Sequence, residues 1–346
     1  MTYQTSKAVV FEKPREAKLR SIKLTGCAEN GFIAKTTLSA ISTGTDMKTW
    51  RGEQHPEQLY YPCVPGYENV GIIVESGKKS SGFSVNDRVM INECRKFGDV
   101  CAAWGGNSLF TVKDNDTCGK NDQMAVIPAG VSDRDAVLAY LACVALKGVY
   151  KIPFKSGDTV LVIGAGMVGI SALQIIRILH PEVKIICMEK NSFRRKIAEP
   201  FCDLAVSADD TGMNKILDFT NGRKADVINE CSGNPEVVGT LHRYLRDDGW
   251  DFGSSGGHIH LQGDYPQRII MDAYHRWFVK NCTISLTCAI YYECKNTILN
   301  WISEGKFRTD TLPVEIWPVG KCTEAYEYQE KNKYDVFKII FDWRNE

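Results

Sequence analysis

Between residues 6 and 128 apolar positions come in short runs with a period of two, separated by turn signals, which predicts strands over 7–11, 32–40, 69–75, 88–91 and 108–112. Asn86-Asp87 supplies turn chemistry ahead of one strand, and Gly71 interrupts another where a second backbone is expected to come close. At Ser132 the period changes. Residues 133–150 read as a helix, and strands then alternate with helices: Thr159–Ile163, Lys184–Met188, Val227–Glu230, 257–262 and Thr283–Leu286 are the expected members of a parallel sheet. A helix over 295–304 and a strand over 336–343 close the chain, the strand returning to the first domain. The expected organisation is a β-rich domain from 1–150 and 291–346 and a doubly wound α/β domain from 151–290. A small-molecule cleft is expected between them.

The richest stretch of the α/β part is the apolar strand Thr159–Ile163 running into Gly164-Ala165-Gly166-Met167-Val168-Gly169 and then into a helical pattern. Three glycines at this spacing serve a tight turn, the approach of backbone to a pyrophosphate, and close packing of helix on strand. The helix N-terminus aims its N–H groups at the phosphates. Glu189 ends the next strand, 20 residues past Gly169, where a carboxylate meets the adenosine ribose hydroxyls. A carboxylate there repels a 2′-phosphate, so the expected cofactor is NAD(H). Its expected contacts are Gly164, Gly166, Met167, Val168, Gly169, Glu189, Lys190 and Arg194, with Arg194 and Arg195 also readable as solvated helix residues.

Length and charge narrow the partners. The 346 residues are enough for two cores, and 42 Lys and Arg against 42 Asp and Glu leave no field for nucleic acid or an anionic membrane. The longest apolar stretch, 136–150, is interrupted by Lys147 and is too short to span a bilayer, so no membrane insertion is expected. Thirteen scattered cysteines, behind an opening segment without signal-peptide character, read as reduced thiols of a cytoplasmic protein.

The runs Ile41-Ser42-Thr43-Gly44-Thr45-Asp46, Pro65-Gly66-Tyr67-Glu68-Asn69-Val70-Gly71, Gly157-Asp158-x-Val160-Leu161-Val162 and Glu230-Cys231-Ser232-Gly233-Asn234-Pro235 resemble the medium-chain dehydrogenase/reductase superfamily along nearly the whole chain. The resemblance implies a GroES-like β domain followed by a Rossmann domain. Within the superfamily, Phe97-Gly98-Asp99-Val100, Gly105-Gly106 and the terminal Asp342-Trp343-Arg344 are most similar to the bacteriochlorophyllide a dehydrogenase family. That likeness implies oxidation of a secondary alcohol, a hydroxyethyl group on a chlorin, to a ketone. It also implies a homodimer, with Thr283–Leu286 as the strand to test.

The zinc enzymes of the superfamily hold their catalytic metal with Cys, His and Cys or Glu. By the resemblance, Ser42 or Thr43 stands at the first of these positions and Tyr67 at the second, with Glu68 retained and Cys143 near the third. Hydroxyl and phenol are poor zinc ligands, so no catalytic zinc is expected. Cys94 and Cys101 lack the tight spacing of the structural zinc lobe. Another group must then handle the substrate oxygen. Tyr67 is the expected proton donor and acceptor, Lys147 the cation that lowers its pKa, Ser42 or Thr45 the hydroxyl that holds the oxygen or passes the proton, and Glu68 a supporting carboxylate. His258 and His260 read as strand packing. Trp50, Tyr60, Tyr61 and Trp104 suit a flat ring or a sugar face. The substrate expected is a small alcohol or ketone. Polyol, sugar or cyclitol oxidation, enone or quinone reduction, and a catalytically inactive nucleotide-binding protein stay open as alternatives.

Overall fold

The computed structural model describes residues 4–58, 60–114, 123–252, 254–265 and 267–346; part of the opening segment lies outside them. It divides into two compact units, Met1–Tyr140 with Tyr291–Glu346, and Leu141–Ile290.

In the first unit the described residues build two sheets. The larger runs in the order Val314–Pro318, Lys338–Asp342, Gly31–Ala40, Glu68–Ser76, Arg88–Met90, Ala125–Val126, and Phe110–Asp114 also pairs with Gly31–Ala40. The C-terminal strand does return: Lys338–Asp342 lies antiparallel to Gly31–Ala40 with Ile340 opposite Ala40. Gly71 is where a close approach was expected, since a β-carbon there would collide with the Lys35 carbonyl. The smaller sheet orders Glu16–Lys23, Thr5–Lys13, Cys63–Val64 and Cys101–Ala102. Glu16–Lys23 is not apparent from apolar periodicity because charges fill its outer face; it forms as the antiparallel partner of Thr5–Lys13. Phe11, Ile41, Tyr326, Phe341 and Trp343 fill a core in this unit. Trp50, expected to face a ligand, is part of that core at 4% exposure, with the Arg15 guanidinium 5.3 Å from its ring.

Two expected elements shift. The helix over 133–150 is two helices, Asp133–Val137 and Ala139–Lys151, because Leu138 N–H bonds back only three residues, to the Asp135 carbonyl, and tightens the turn. The strand over 108–112 moves to Phe110–Asp114, and Ser108 makes an isolated bridge to Ala8.

The second unit carries a six-stranded parallel sheet in the order Leu204–Val206, Lys184–Met188, Thr159–Ile163, Val227–Glu230, His258–Leu261, Thr283–Leu286. In chain order this is 3-2-1-4-5-6, the doubly wound dinucleotide-binding arrangement, whose ligands sit at the carboxyl ends of the strands where the order reverses. The reversal lies between Thr159–Ile163 and Val227–Glu230, so the glycine turn is placed at the switch point. Thr159–Ile163 is buried along its length, as a central parallel strand must be. Among the described residues, no helix is long and apolar enough to cross a membrane.

Candidate active site

In the second unit each glycine of the turn has a distinct physical reason. Gly164 has φ +94, and a β-carbon there would lie 2.9 Å from the Ser232 Cα. A β-carbon on Gly169 would collide with the Gly164 carbonyl, which is the close packing of helix on turn. Gly166 differs: the nearest atom to its β-carbon position is Arg194 Nη1, 3.8 Å away. The face of Gly166 is open, and it caps the helix Met167–Leu179, which has no side-chain cap and no acid in its first turn. An uncapped helix start behind an open glycine fits a pyrophosphate.

Glu189 completes the cradle. One carboxylate oxygen accepts the Ala165 N–H at 2.7 Å and the other accepts the Asn191 N–H at 2.8 Å, so the acid is fixed against the turn. Arg195 Nη1 donates to the Glu189 carbonyl at 2.7 Å, and the Asn191 side chain caps the next helix at Arg194 N–H. Met167 and Val168 open the helix, and Lys190 is exposed beyond Glu189.

In the first unit a loop and a strand end assemble the hydroxyl groups. Gly66, at φ +95, turns the chain so that Tyr67 precedes Glu68–Ser76, and Asn92 Nδ2 holds the Tyr67 carbonyl at 2.9 Å. The phenol oxygen lies 2.6 Å from Ser42 Oγ and 3.1 Å from Thr45 Oγ1. Ser42 N–H donates to Asp46 at 3.0 Å, fixing the start of the helix Thr45–Arg51. Trp104 meets the Tyr67 ring edge-on at 5.8 Å, and Tyr140, which sequence reasoning missed, lies 4.8 Å away.

Below this set, Glu68 and Lys338 form an ion pair at 2.6 Å with both side chains fully buried. Lys338 was also missed, because a lysine in an apolar returning strand gives no hint of a partner 270 residues away. Burial pushes the Asp46 carboxyl up to about 7, and burial also raises Glu68 against the pull of Lys338.

The surroundings of Tyr67 shift its phenol opposite to the direction expected from the sequence. Burial raises the phenol pKa, the Glu68 and Asp46 carboxyl groups raise it further, and the hydrogen bonds with Ser42 and Thr45 offset only part. Tyr67 is therefore a phenol and not a phenolate. The Lys147 ammonium, expected to lower it, donates to the Cys288 carbonyl at 2.5 Å within the second unit. Zinc does not fit the donor set at Ser42 and Tyr67: their neutral oxygens bond each other, and Glu68 is held by Lys338. Among the described residues no three His, Cys, Asp or Glu side chains gather as a metal would need.

Two further polar groups line the carboxyl and outer edges of the parallel sheet. Glu230, fully buried and pushed up to about 7 by burial, accepts hydroxyl hydrogens from Ser232 and from Tyr265. His258 and His260 share the Ser285 hydroxyl at 2.7 and 2.9 Å, which is the strand packing expected of them. Burial, then the neighbouring His258, pushes His260 down to about 4 from 6.5. The unfolded chain thus takes up this proton first. Stability is complete above pH 6.5 and falls as the pH drops toward 4, by on the order of 2 kcal/mol. Melting temperature against pH for the wild type and a His260→Gln variant checks it: the variant should lose the steep acid limb, and identical slopes would refute the assignment.

A family model for the alcohol dehydrogenase GroES-like domain matches residues 32–153. The chain is 25% identical over 340 residues to the 2-desacetyl-2-hydroxyethyl bacteriochlorophyllide A dehydrogenase of Cereibacter sphaeroides, covering 97% of this chain and 98% of that one. It is 24% identical to the L-threonine 3-dehydrogenase of Pyrococcus horikoshii, covering 90% and 91%. An Escherichia coli alcohol dehydrogenase solved with NADH superposes with a TM-score of 0.79 at 18% identity, over 99% of this chain and 100% of that one. Residues 32–153 thus match the alcohol dehydrogenase GroES-like domain, and along nearly its whole length the chain is similar to dehydrogenases that act on alcohol groups.

Proposed function

We propose that this protein is an NAD(H)-dependent oxidoreductase that interconverts a secondary alcohol and a ketone without a catalytic zinc, using Tyr67 as the proton-bearing group. The observation that carries the reading is the buried phenol hydrogen-bonded to Ser42 at 2.6 Å and Thr45 at 3.1 Å. Glu189 supports NAD(H) as the cofactor, because its fixed carboxylate repels a 2′-phosphate.

Gly164, Gly166 and Gly169, with the helix start at Met167, would hold the pyrophosphate. When bound, the dinucleotide supplies or accepts the hydride. Tyr67 stays protonated because its surroundings raise its pKa, so it polarises the carbonyl by donating a hydrogen bond. As the carbonyl is reduced, the phenol proton passes to the substrate oxygen, and Ser42 and Thr45 stand within hydrogen-bond distance to refill it. The aromatic wall of Trp104 and Tyr140 around Tyr67 favours a substrate with a flat ring beside the hydroxyl-bearing carbon. A ring-borne hydroxyethyl group, the chemistry in the name of the Cereibacter relative, is the reading preferred over a polyol.

The test is NADH formation by chelator-treated protein with hydroxyethyl-bearing aromatic rings, chlorins included, and separately with polyols. Turnover on the ring substrates is expected. Turnover only after zinc is restored would overturn the metal-free chemistry, and turnover on polyols alone would overturn the substrate class. Gly166→Val, whose side chain would fill the open face at a backbone conformation any residue tolerates, is expected to weaken NADH binding by about 100-fold or more. Fluorescence titration of NADH measures it, and wild-type affinity would remove the turn from the cofactor site.

A further inference from the structure

At the amino end of the parallel strands, away from the glycine turn, the second unit has an open surface cavity of about 380 Å³. Lys224 lies just before the strand Val227–Glu230, His242 and Arg243 lie in the turn Leu241–Arg243, and Arg276 and Lys280 lie in and just after the helix Tyr274–Phe278. Met213 and Val279 supply an apolar wall.

The charges here do not cancel. Lys280 Nζ is 2.7 Å from Asp247 and 2.8 Å from the Leu245 carbonyl, so that pair is internally satisfied. The neighbouring acids are held elsewhere: Asp226 pairs with Arg223 and Arg246, and Asp248 with Arg246. Among the described residues, Lys224, Arg243 and Arg276 have no ion-pair partner. Burial and the charge of Lys280 hold the Lys224 ammonium below its usual pKa, which an added anion would reverse. A second, independent observation points the same way. His242 is 9% exposed and lines the cavity; one side of its ring meets the Gly239 carbonyl, which leaves the other ring nitrogen without a partner in the chain. A buried polar group left unpaired beside a basic cavity is a group shaped for a ligand that is not part of the chain.

We propose that this cavity is a binding site for a small multivalent oxyanion, a phosphoryl- or carboxylate-bearing metabolite with an apolar portion against Met213 and Val279. The guanidinium groups of Arg243 and Arg276 offer planar donors suited to such oxygens. Lys224 adds a point charge, and His242 supplies either a donor or an acceptor from within.

The experiment titrates tripolyphosphate, and separately citrate, into protein saturated with NADH, read by calorimetry. Saturation keeps the dinucleotide turn filled, so heat reports a separate site. One-to-one binding that weakens with salt is expected, as is a loss of at least about tenfold in affinity in the double variant Arg243→Glu, Arg276→Glu. Both side chains are exposed, and a melting curve confirms that the variant folds. Whichever probe binds more tightly identifies the oxyanion as phosphoryl or carboxylate. His242→Phe, which keeps the ring against Trp277, is expected to weaken the same binding several-fold. Wild-type affinity in the double variant, binding that disappears when NADH is present, or no binding up to about 1 mM would each overturn the site.

Discussion

Tyr67→Phe is expected to lower kcat for ketone reduction by about 100- to 1000-fold with little change in KM, the signature of an interaction made chiefly in the transition state. The substitution removes one oxygen and leaves the ring. Phenylalanine can keep the contacts with Trp104 at 5.8 Å and Tyr140 at 4.8 Å, so the aromatic wall and the fold should survive. What disappears is the donor between Ser42 and Thr45. Stability should drop by only about 1 kcal/mol, the net worth of the hydrogen bonds lost. Ser42→Ala separates donor from relay: it leaves the phenol in place, so a smaller loss, about tenfold, is expected if serine serves only to refill the proton. Because burial and two carboxyl groups raise the phenol pKa, the wild-type profile should show no limb near neutrality from Tyr67 ionisation. Steady-state kinetics of both variants decide the matter, and a Tyr67→Phe enzyme with wild-type kcat would remove the phenol from the chemistry.

The parts of this molecule governed by local rules were legible in its sequence. A strand, three glycines at fixed spacing, a helix and an acid 20 residues on define a unit whose geometry follows from the backbone alone, and Gly164, Gly166, Gly169 and Glu189 stand where that unit needs them. Tyr67 and Ser42 were legible as oxygen-bearing residues at positions where the resemblance implies metal ligands, Thr45 as a hydroxyl close by in sequence, and the structure brings the three together. The sign of the phenol's pKa shift was not legible. It depends on burial and on which charges lie nearby, and residues distant in sequence supply both. Lys147 looked like the relevant cation because it interrupts an apolar helix, but its ammonium is held by the Cys288 carbonyl. Lys338, Tyr140 and Tyr265 escaped notice for a related reason: each acts through a partner placed by tertiary pairing. The strand Glu16–Lys23 and the break at Leu138 show the same limit for the fold, since one is stabilised by its neighbour and the other marked by a hydrogen bond that reaches back three residues instead of four.

The largest stability effect is expected from Lys338→Met. Glu68 and Lys338 are fully buried and 2.6 Å apart, on strands that flank Gly31–Ala40, where Ala40 pairs with Glu68 on one side and Ile340 on the other. Removing the ammonium leaves a carboxyl group in an apolar interior without its counter-charge, which costs about 3–5 kcal/mol. The acid would then be held neutral, its pKa higher still than the already raised wild-type value. The sign of the pH dependence follows. The unfolded chain releases the Glu68 proton near its ordinary pKa of 4.5 while the folded variant retains it, so the variant loses stability as the pH rises above 4.5. The double variant Glu68→Gln, Lys338→Met has no buried charge and should recover most of the loss, with little pH dependence remaining. Denaturant unfolding of the single and double variants at several pH values measures all of this. A Lys338→Met protein within about 1 kcal/mol of wild type would mean that the carboxylate finds another partner or reaches water. If instead the single variant is strongly destabilised and the double variant recovers both stability and turnover, the ion pair orients the strand end behind Tyr67 and takes no part in the proton transfer.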